Sequence, residues 1–569
     1  MLDIQHLSFA VTNEAAGKEI LHDITLTVDS GRFVVITGPN GGGKSTLAKM
    51  IAGIEKPTAG KILLDGTDMT DLSITDRAKL GVSYAFQQPV RFKGITVLDL
   101  LRIASGKRLS VSEACAILSE VGLCARDYVN REVNGSLSGG ELKRIEIATV
   151  LTRGTQLSVF DEPEAGIDLW SFQNLISVFE RMRQVRSDRT ILVISHQERI
   201  LNIADEIIVL AEGKIGISKR GKYGKPRQPR GNSADAAGHA VRRQRVRTIG
   251  KDHREGGQLL MSEKITAVQR RLLEEVADLH GVPEGAYNIR ANGHLASRQT
   301  TANISIESKT DVSGIDIRIK PGTVNESVHI PVVLSESGLK EMVYNDFYIG
   351  EGSDVLIVAG CGIDNCGSQD SQHDGLHRFF VEKNAHVRYV EKHYGSGDGT
   401  GKRLLNPGTE VHLAQGSSME MEMVQIRGVD STIRTTTAEL EAGARLVVRE
   451  RLMTHGDQKA ESIYVVTMKG AGSSADVVSR SVAKDNSWQK FDSRLVGQAA
   501  CSGHTECDAI IMDHAKILAV PQLEADDLDA ALIHEAAIGK IAGEQIIKLM
   551  TLGLTEQEAE EQIISGFLK

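Results

Sequence analysis

One stretch decides how the first part of the chain folds: Gly38-Pro39-Asn40-Gly41-Gly42-Gly43-Lys44-Ser45-Thr46. It matches the phosphate-binding pattern G-x-x-x-x-G-K-[ST] at every defined position. Residues 32–37 before it form an apolar run typical of a buried strand, and residues 47–52 after it favour a helix. Backbone N–H groups in such a loop surround phosphate oxygens at a helix N-terminus. The stretch therefore predicts a nucleotide site in which Lys44 reaches the β- and γ-phosphates and Ser45 holds Mg²⁺.

The composition limits the classes of protein to consider. A chain of 569 residues is too long for one core, so we expect several domains. The net charge of -9 argues against nucleic acid as the main partner, and six scattered cysteines favour a reducing compartment over a disulfide framework. No apolar run reaches the roughly 20 residues of a membrane span, and residues 1–6 do not resemble a signal peptide. We expect a cytoplasmic protein with no membrane partner.

Four further motifs follow the phosphate loop in order. Gln87 comes after an apolar strand, and residues 137–141 (LSGGE) open a helix. A second strand ends in Asp161 and Glu162, and a third ends in His196. Each motif alone is a weak signal, but the five in this order resemble the ATP-binding cassette (ABC) ATPase family over residues 1–215.

The ABC resemblance implies an α/β P-loop domain that uses ATP and Mg²⁺. It assigns the nucleotide to Gly38, Asn40, Gly41, Gly43, Lys44, Ser45, Thr46, Ser138, Gly139 and Gly140. Of these, Ser138 and Gly140 would close on the ATP of a second cassette, so the active unit would be a dimer. Within the family, the domain looks like the SufC-type ATPases of iron–sulfur assembly.

The same resemblance implies catalytic roles. Ser45, Gln87 and Asp161 would hold Mg²⁺, Glu162 would orient or deprotonate the attacking water, and His196 would contact the γ-phosphate. A contact between Lys143 and Glu162 that keeps the carboxylate idle is a further hypothesis.

One element of the family pattern is weak in this sequence. The family has an aromatic residue that stacks on adenine near the first strand, and Phe9 is the sole candidate for that role.

A basic linker is predicted over residues 216–261. It is rich in Lys, Arg, Gly, Pro and Ser and lacks apolar periodicity, which predicts disorder. We interpret it as a solvated tether rather than a contact for nucleic acid. The sequence from Met261 resembles a fresh protein start, so we hypothesise that two adjacent reading frames are joined there.

The second half changes from helical to strand periodicity. Residues 262–300 are predicted as an N-terminal helical segment, and residues 301–522 show a period of two interrupted by Gly and Asn turns. This pattern predicts a mainly β parallel β-helix, with a two-sheet sandwich as the alternative. Residues 523–569 are predicted as a C-terminal helical segment that docks on the ATPase. His386, His393 and His412 are expected on the solenoid surface.

A second resemblance rests on residues 505–512 (TECDAIIM) and 533–541 (IHEAAIGKI). These stretches look like the SufB/SufD scaffold family, which implies a β-helix core, dimerisation and a C-terminal piece that binds the ATPase. The resemblance implies that Cys507, Glu535 and His534 contact a nascent iron–sulfur cluster. One chain carrying all three fits a homodimer, although the N-terminal cysteine motif of many SufB proteins is missing here.

A second group of soft and imidazole ligands surrounds Cys361 and Cys366 in a Gly-rich stretch, close to His373 and His377. A metal or sulfur-relay site is one interpretation, and ordinary solvated loop residues are the other.

The motifs together predict an ATP-dependent iron–sulfur assembly scaffold with ATPase and scaffold in one chain. The partners expected are a second copy, a sulfur donor and apo-protein recipients. The cluster type and a flavin requirement stay open. The alternatives are a transporter-type ABC ATPase with a regulatory β domain and, less well supported because aromatic residues are scarce at 4%, a polysaccharide-binding β-helix.

Overall fold

The computed structural model describes residues 1–11, 18–167, 169–185, 188–220, 265–281 and 283–569. The chain divides into two compact units. One unit combines Met1–Val241 with Ile541–Phe567, and the other comprises Arg242–Lys540. Most of the predicted linker and the proposed junction at Met261 lie outside the described residues.

The first unit is an α/β fold. Its elements before the linker are β1 (Leu2–Val11), β2 (Lys18–Val28), β3 (Phe33–Thr37), α1 (Lys44–Ala52), β4 (Ala59–Leu64), β5 (Thr67–Asp68), α2 (Ile74–Leu80), β6 (Val82–Ala85), α3 (Val97–Ser105), α4 (Val111–Glu120), α5 (Ala125–Tyr128), α6 (Gly139–Arg153), β7 (Leu157–Asp161), α7 (Leu169–Val185), β8 (Thr190–Ile194), α8 (Glu198–Ile203), β9 (Glu206–Ala211) and β10 (Lys214–Arg220).

Two sheets build this unit. One is antiparallel with the order β2-β1-β4-β5, and the other has the order β10-β9-β3-β8-β7-β6. In the second sheet β9, β3, β8, β7 and β6 pair in parallel. Strands β7 and β8 are buried along their whole length because every side chain meets the core on one face or the other. Parallel pairing brings the carboxyl ends of β3, β7 and β8, which carry the predicted motifs, to one edge.

The second unit is a two-sheet solenoid preceded by a helix. Its elements are α9 (Ala267–Ala277), β11 (Ala286–Ala291), β12 (His294–Gln299), β13 (Ile304–Ser308), β14 (Gly314–Ile319), β15 (Val324–Leu334), β16 (Lys340–Ile349), β17 (Asp354–Asp364), β18 (Ser371–Val381), β19 (His386–Ser396), β20 (Arg403–Leu413), β21 (Ser418–Arg427), β22 (Ser431–Leu440), β23 (Arg445–Thr454), β24 (Lys459–Met468), β25 (Ser474–Ala483), β26 (Trp488–Gly497), β27 (Ser502–Ile511), β28 (Lys516–Ala525) and β29 (Ala531–Gly539).

From β15 onward successive strands enter alternate sheets, and each pairs in parallel with the strand two places later. Asp354 pairs with His386, which lies 32 residues later (386 − 354), and Ser474 pairs with Ser502, 28 residues later (502 − 474). Alternate side chains point inward and form one continuous core. This confirms the predicted β-helix, and the sandwich alternative is wrong.

Three predicted boundaries differ from the structure. Strand β10 continues to Arg220, beyond the predicted end of the first domain at residue 215, and pairs with β9. The solenoid unit has strands from Ala286, not only from residue 301, and they continue to Gly539, not only to residue 522. The sequence of β29, rich in Ala with one Glu, favours a helix locally, but pairing with β27 overrides that weak preference.

The chain ends in two helices, α10 (Gly543–Thr551) and α11 (Glu556–Phe567), which belong to the first unit. We call them, with their connection, the C-terminal hairpin. Their apolar faces are buried through residues such as Leu549, Ile563 and Phe567. Among the described helices, none is both long and apolar enough to cross a membrane.

Candidate functional site

The phosphate loop joins β3 to α1 and has a shape that requires glycine. Gly38 has φ +137°, and a Cβ there would lie 2.0 Å from the Leu210 carbonyl oxygen. Lys44 is 5% exposed, and its ammonium donates to the carbonyls of Gly38 at 2.7 Å and Pro39 at 2.9 Å. Burial lowers its pKa. The loop thus holds a cation at the start of a helix, which fits a polyphosphate.

Ser45 and Asp161 lie side by side at the predicted magnesium position. The Ser45 hydroxyl donates to Asp161 Oδ1 at 3.0 Å, and the Tyr84 hydroxyl donates to Oδ2 at 3.1 Å. Asp161 is 1% exposed, and burial raises its pKa. A bound divalent cation would favour the ionised carboxylate, and a hydroxyl beside a carboxylate is an oxygen donor set that suits Mg²⁺.

Glu162 has an unusual backbone conformation. Its φ of +45° is in the left-handed region, which is uncommon for a glutamate. The Gln87 side-chain amide donates to Glu162 Oε2 at 2.8 Å. His196 Nδ1 lies 3.4 Å from Thr37 Oγ1 at the end of the neighbouring strand. The structure therefore brings Gln87, Glu162 and His196 to one edge of the sheet.

Lys143 does not make the contact with Glu162 that we hypothesised. Its buried ammonium donates instead to three main-chain carbonyls, those of Phe86 at 3.0 Å, Gln87 at 2.8 Å and Asp161 at 3.4 Å. These carbonyls satisfy the cation, and Glu162 turns toward Gln87. Burial lowers the pKa of Lys143.

One open pocket gathers most of the residues predicted for the nucleotide. Its lining is Glu19, Ile20, His22, Asn40, Gly41, Gly42, Gly43, Lys44, Ser45, Thr46, Gln87, Glu162, His196, Glu212 and Gly213. Phe9 is not in this lining and packs against the core of the unit. The rings in this lining are those of His22 and His196, and His22 Nδ1 lies 2.9 Å from Glu19 Oε2. Sequence reasoning missed His22 because a single histidine on a strand carries no motif.

The LSGGE residues lie at the start of α6. Ser138 caps the helix by accepting from the N–H of Glu141, whose carboxylate accepts in return from the N–H of Ser138. Ser138 and Gly139 are exposed, and none of the three predicted residues here, including Gly140, lines the pocket of its own chain. The exposed N-terminus of this helix is available to an anion from outside the chain.

The C-terminal hairpin packs on the cassette within the first unit. Lys548 on α10 forms a buried ion pair of 2.7 Å with Glu146 on α6. Arg153 donates to the carbonyl of Leu552, and Thr75 donates to that of Leu554. These bonds satisfy the carbonyls at the end of α10 and tie it to α6 and α2.

The predicted cluster residue Cys507 lies inside the solenoid. It is on β27, is 1% exposed, and stands in register with Ser479 on one side and Ala536 on the other. Burial, reinforced by the charge of Glu450, raises its pKa to about 12. The thiol is therefore protonated at neutral pH in this state.

His534 and Glu535 lie on opposite faces of the last strand, β29. His534 is in register with Thr505, and Glu535 is in register with Glu506. Because Thr505 and Cys507 both point inward, His534 shares their face and Glu535 points away. Both ring nitrogens of His534 are buried without a hydrogen-bond partner in the described part of the chain.

Cys361 and Cys366 do not form one site. Cys361 is buried on β17, at a cavity of about 20 Å³ that is also lined by His373, His377 and Glu391. Cys366 lies after the strand, is exposed, and its thiol donates to Asp364 Oδ2 at 3.3 Å. Burial raises the pKa of Cys361, and the hydrogen bond to Asp364 raises that of Cys366.

Buried charges continue from this cavity along the solenoid interior. Glu391 pairs with Arg434, and His393 Nδ1 lies 3.2 Å from Arg434 Nη2. His393 is thus interior, and its predicted surface position is wrong. The positions Glu391, Met423, Glu450, Ser479 and Cys507 stand in register on successive strands of one sheet. Glu391 lies two residues after the apolar Tyr389 and so shares its inward face of β19. That spacing was the sequence signal for an inward charge.

No three His, Cys, Asp or Glu side chains come together as a metal site in the ranges that the structure describes. In particular, one chain does not gather Cys507, His534 and Glu535 around a common point. A metal site built from all three needs a rearrangement or a second chain.

Comparisons with known proteins match both parts of the chain. The family described as "ABC transporter" matches residues 21–165, and the family described as "SUF system FeS cluster assembly, SufBD core domain" matches residues 339–567. An uncharacterised ABC transporter ATP-binding protein of Methanocaldococcus jannaschii is 38% identical over 206 residues, which is 35% of this chain and 82% of the relative. The probable ATP-dependent transporter ycf16 of Cyanidium caldarium is 34% identical over 230 residues, which is 38% of this chain and 88% of the relative.

A solved structure of a dimeric ATP-binding cassette in a post-hydrolysis state, bound to ADP and Pi, is 24% identical over 39% of this chain and 98% of that chain, with a TM-score of 0.36. The two family matches and the curated relatives establish ATP hydrolysis, with Mg²⁺, and a general role in SUF-type iron–sulfur assembly. The chain belongs to the ABC ATPase family, and its cassette is fused to a SufB/SufD-type scaffold domain.

Proposed function

We propose that this chain assembles iron–sulfur clusters as a homodimer, with ATP hydrolysis by paired cassettes opening the cluster site. One observation carries the proposal: Cys507 and His534 share an inner face at the last rungs of a scaffold whose own chain holds a complete P-loop pocket. Thiolate is the strong protein ligand of iron–sulfur iron, and imidazole and carboxylate are weaker. A cysteine-poor site would hold its product loosely, which suits a scaffold that must transfer it.

The hydrolytic roles follow from the pocket. Lys44 and the loop N–H groups would bind the β- and γ-phosphates, and Ser45, Asp161 and Gln87 would orient Mg²⁺. Once its hydrogen bond to Gln87 is broken, Glu162 would take the proton of the attacking water. His196 would hold the γ-phosphate. Such a site works mainly by positioning and by stabilising charge.

Exposed signature residues support the pairing of cassettes. Ser138, Gly139 and Gly140 are outside the pocket of their own chain, at the N-terminus of α6, where Ser138 and Gly139 are exposed. A second cassette would place this helix end against the γ-phosphate of the first. Each hydrolysis event would then require two chains.

The last strand supports pairing of the scaffolds. β29 is the edge strand of its sheet, and none of the described strands pairs with its outer N–H and C=O groups. Large apolar side chains are exposed on these final rungs: Leu518, Leu523, Leu528, Ile533 and Ile538. A second copy would cover this edge and could bring its own Glu535 toward Cys507. Within one chain Glu535 cannot reach Cys507, because it lies on the opposite face of β29. The sulfur donor and the apo-protein recipients would approach the same end of the solenoid. The proposal assigns no flavin site.

Anaerobic reconstitution of the full chain with ferrous iron and sulfide tests the proposal. The wild type should bind iron and sulfide with charge-transfer absorbance, and Cys507→Ser should lose both because an alkoxide is a poor iron ligand at neutral pH. Cys501→Ser is the matched control, since Cys501 is also buried in this region, at 7% exposure. Equal iron, sulfide and spectra for Cys507→Ser and the wild type would refute the assignment and make the Cys361 and Cys366 region the leading site. A chain that binds no iron at all would refute the proposal that the cluster is built on this chain.

A further inference from the structure

A buried ion pair connects the C-terminal hairpin to the catalytic pocket. Lys548 is 1% exposed, and its ammonium donates to Glu146 Oε1 at 2.7 Å and lies 3.3 Å from Thr149 Oγ1. Glu146 is 3% exposed. A buried ammonium and a buried carboxylate each need a partner, so removal of one leaves the other unpaired in a medium of low polarity.

The same carboxylate oxygen holds the main chain next to Gln87. The N–H of Phe86 donates to Glu146 Oε1 at 2.9 Å, so Lys548 and Phe86 share one acceptor atom. The Lys548 ammonium also lies 5.4 Å from the centroid of the Phe86 ring, within the range of a cation–π contact. The position of Phe86 therefore depends on Lys548 through two contacts.

Gln87 follows directly, and it reaches the catalytic carboxylate. Lys143, one turn before Glu146 on α6, holds the carbonyls of Phe86 and Gln87 at 3.0 and 2.8 Å. The Gln87 amide then donates to Glu162 at 2.8 Å. An unbroken chain of contacts runs from α10 through Glu146 and residues 86–87 to the side chain that activates water.

We propose that Lys548 is a positioning residue for ATP hydrolysis, which acts through Glu146 on the main chain of Phe86 and Gln87. Only residues 540–542 separate β29, the strand that carries His534 and Glu535, from α10. Lys548 therefore also lies on the shortest covalent path from this strand, the cluster strand, to the cassette. A displacement of α10 would move the shared Glu146 oxygen and shift Gln87 relative to Glu162. The hairpin is thus part of the catalytic apparatus, not merely an anchor.

Kinetics of the full chain test this inference. Lys548→Met keeps the length and packing of the side chain but removes the cation. We expect kcat to fall about tenfold, because a misplacement of about 1 Å far from the chemistry can cost up to a hundredfold. The KM for ATP should stay within about twofold, since the phosphate loop is untouched. Lys569→Met is the matched control: Lys569 pairs with Asp99 at 2.9 Å in the same segment but has no link to Gln87.

A double variant separates positioning from folding. Lys548→Met combined with Glu146→Gln removes both charges of this ion pair, and the glutamine oxygen can still accept from the Phe86 N–H. We expect kcat to return to within about threefold of wild type. If Lys548→Met does not fold, Lys548→Gln, which also removes the cation but can still donate a hydrogen bond to Glu146, takes its place in the same comparison. The proposal is overturned if Lys548→Met keeps wild-type kcat or if its kcat falls no further than that of Lys569→Met. It is also overturned if the kcat of the folded double variant equals that of Lys548→Met or lies more than threefold below that of the wild type.

Discussion

Cys507 should react slowly with iodoacetamide in the nucleotide-free protein, because alkylation requires the thiolate. Burial raises its pKa to about 12, so at a pH of about 8 only about one thiol in ten thousand is ionised. An ordinary thiol with a pKa of about 8.5 is about a quarter ionised at the same pH. A more basic thiolate is a better nucleophile, which offsets part of this difference. We therefore expect Cys507 to react at least about tenfold more slowly than an ordinary thiol, before its 1% exposure slows it further, and the exposed Cys124 serves as the comparison in the same sample.

The perturbation is to trap ATP in the Glu162→Gln variant, which should hold the cassettes closed. If closure opens the cluster site, water reaches Cys507, its pKa falls, and its alkylation rate should rise at least about tenfold. Pulsed anaerobic alkylation followed by peptide mass spectrometry measures each cysteine in one sample. Cys361, also buried in the solenoid, is the internal control and should not change.

The pH dependence gives a second check with a defined sign. A raised thiol pKa means that the folded protein keeps its proton above the pH at which the unfolded chain loses it. The alkylation rate of Cys507 should therefore continue to rise with pH instead of levelling off near pH 9, while the stability that the buried thiol contributes is lost as pH rises toward about 12. A Cys507 rate equal to that of Cys124 in the nucleotide-free protein would refute the buried-thiol argument, and an unchanged rate with trapped ATP would refute ATP-driven opening.

Three further predictions concern the cassette, the linker and the cluster strand. Glu162→Gln should reduce kcat by about a hundredfold or more, about 3 kcal/mol, with ATP affinity retained; steady-state turnover within a few-fold of wild type would contradict the role of Glu162 as base. A cut within residues 221–261 should leave two pieces that co-purify at micromolar concentration, because Ile541–Phe567 packs in the first unit, and separate elution would contradict that docking. Glu535→Ala should weaken cluster binding clearly and His534→Ala should weaken it less or not at all, with ATPase activity of the cassette unchanged in both; iron content and hydrolysis rate of the same samples decide between these outcomes.

The first unit was predictable because its motifs are read in order along the chain. A parallel sheet converts that order into proximity, so Ser45, Asp161, Gln87 and His196 meet at one edge. What the motifs do not encode is the state of the site. The left-handed φ of Glu162 and its bond to Gln87 depend on tertiary contacts that have no sequence pattern.

The solenoid was predictable as a repeat but not at its ends. A period of two requires polar side chains outward and apolar ones inward. This distinction fades on the last rung, because one face of β29 is exposed throughout and the other is half-buried only at Leu532 and His534. The positions of the interior charges were not predicted, for the opposite reason. His393 and Glu391 look like surface residues by type, and only their phase relative to Tyr389 reveals that they point inward.

A buried cysteine at the end of a solenoid constrains how a cluster can form there. The interior row is covered along its length by paired strands, so iron would reach Cys507, the ligand of the proposed function, only if the final rungs separated. The strand that would have to move, β29, continues through residues 540–542 into α10, whose Lys548 shares an acceptor atom with the main chain beside Gln87. A scaffold that opened spontaneously would need no such link and could assemble clusters without ATP. Cluster formation that proceeds at the same rate in the Lys44→Ala variant, which cannot bind the phosphates, would therefore argue that the cassette serves release and not assembly.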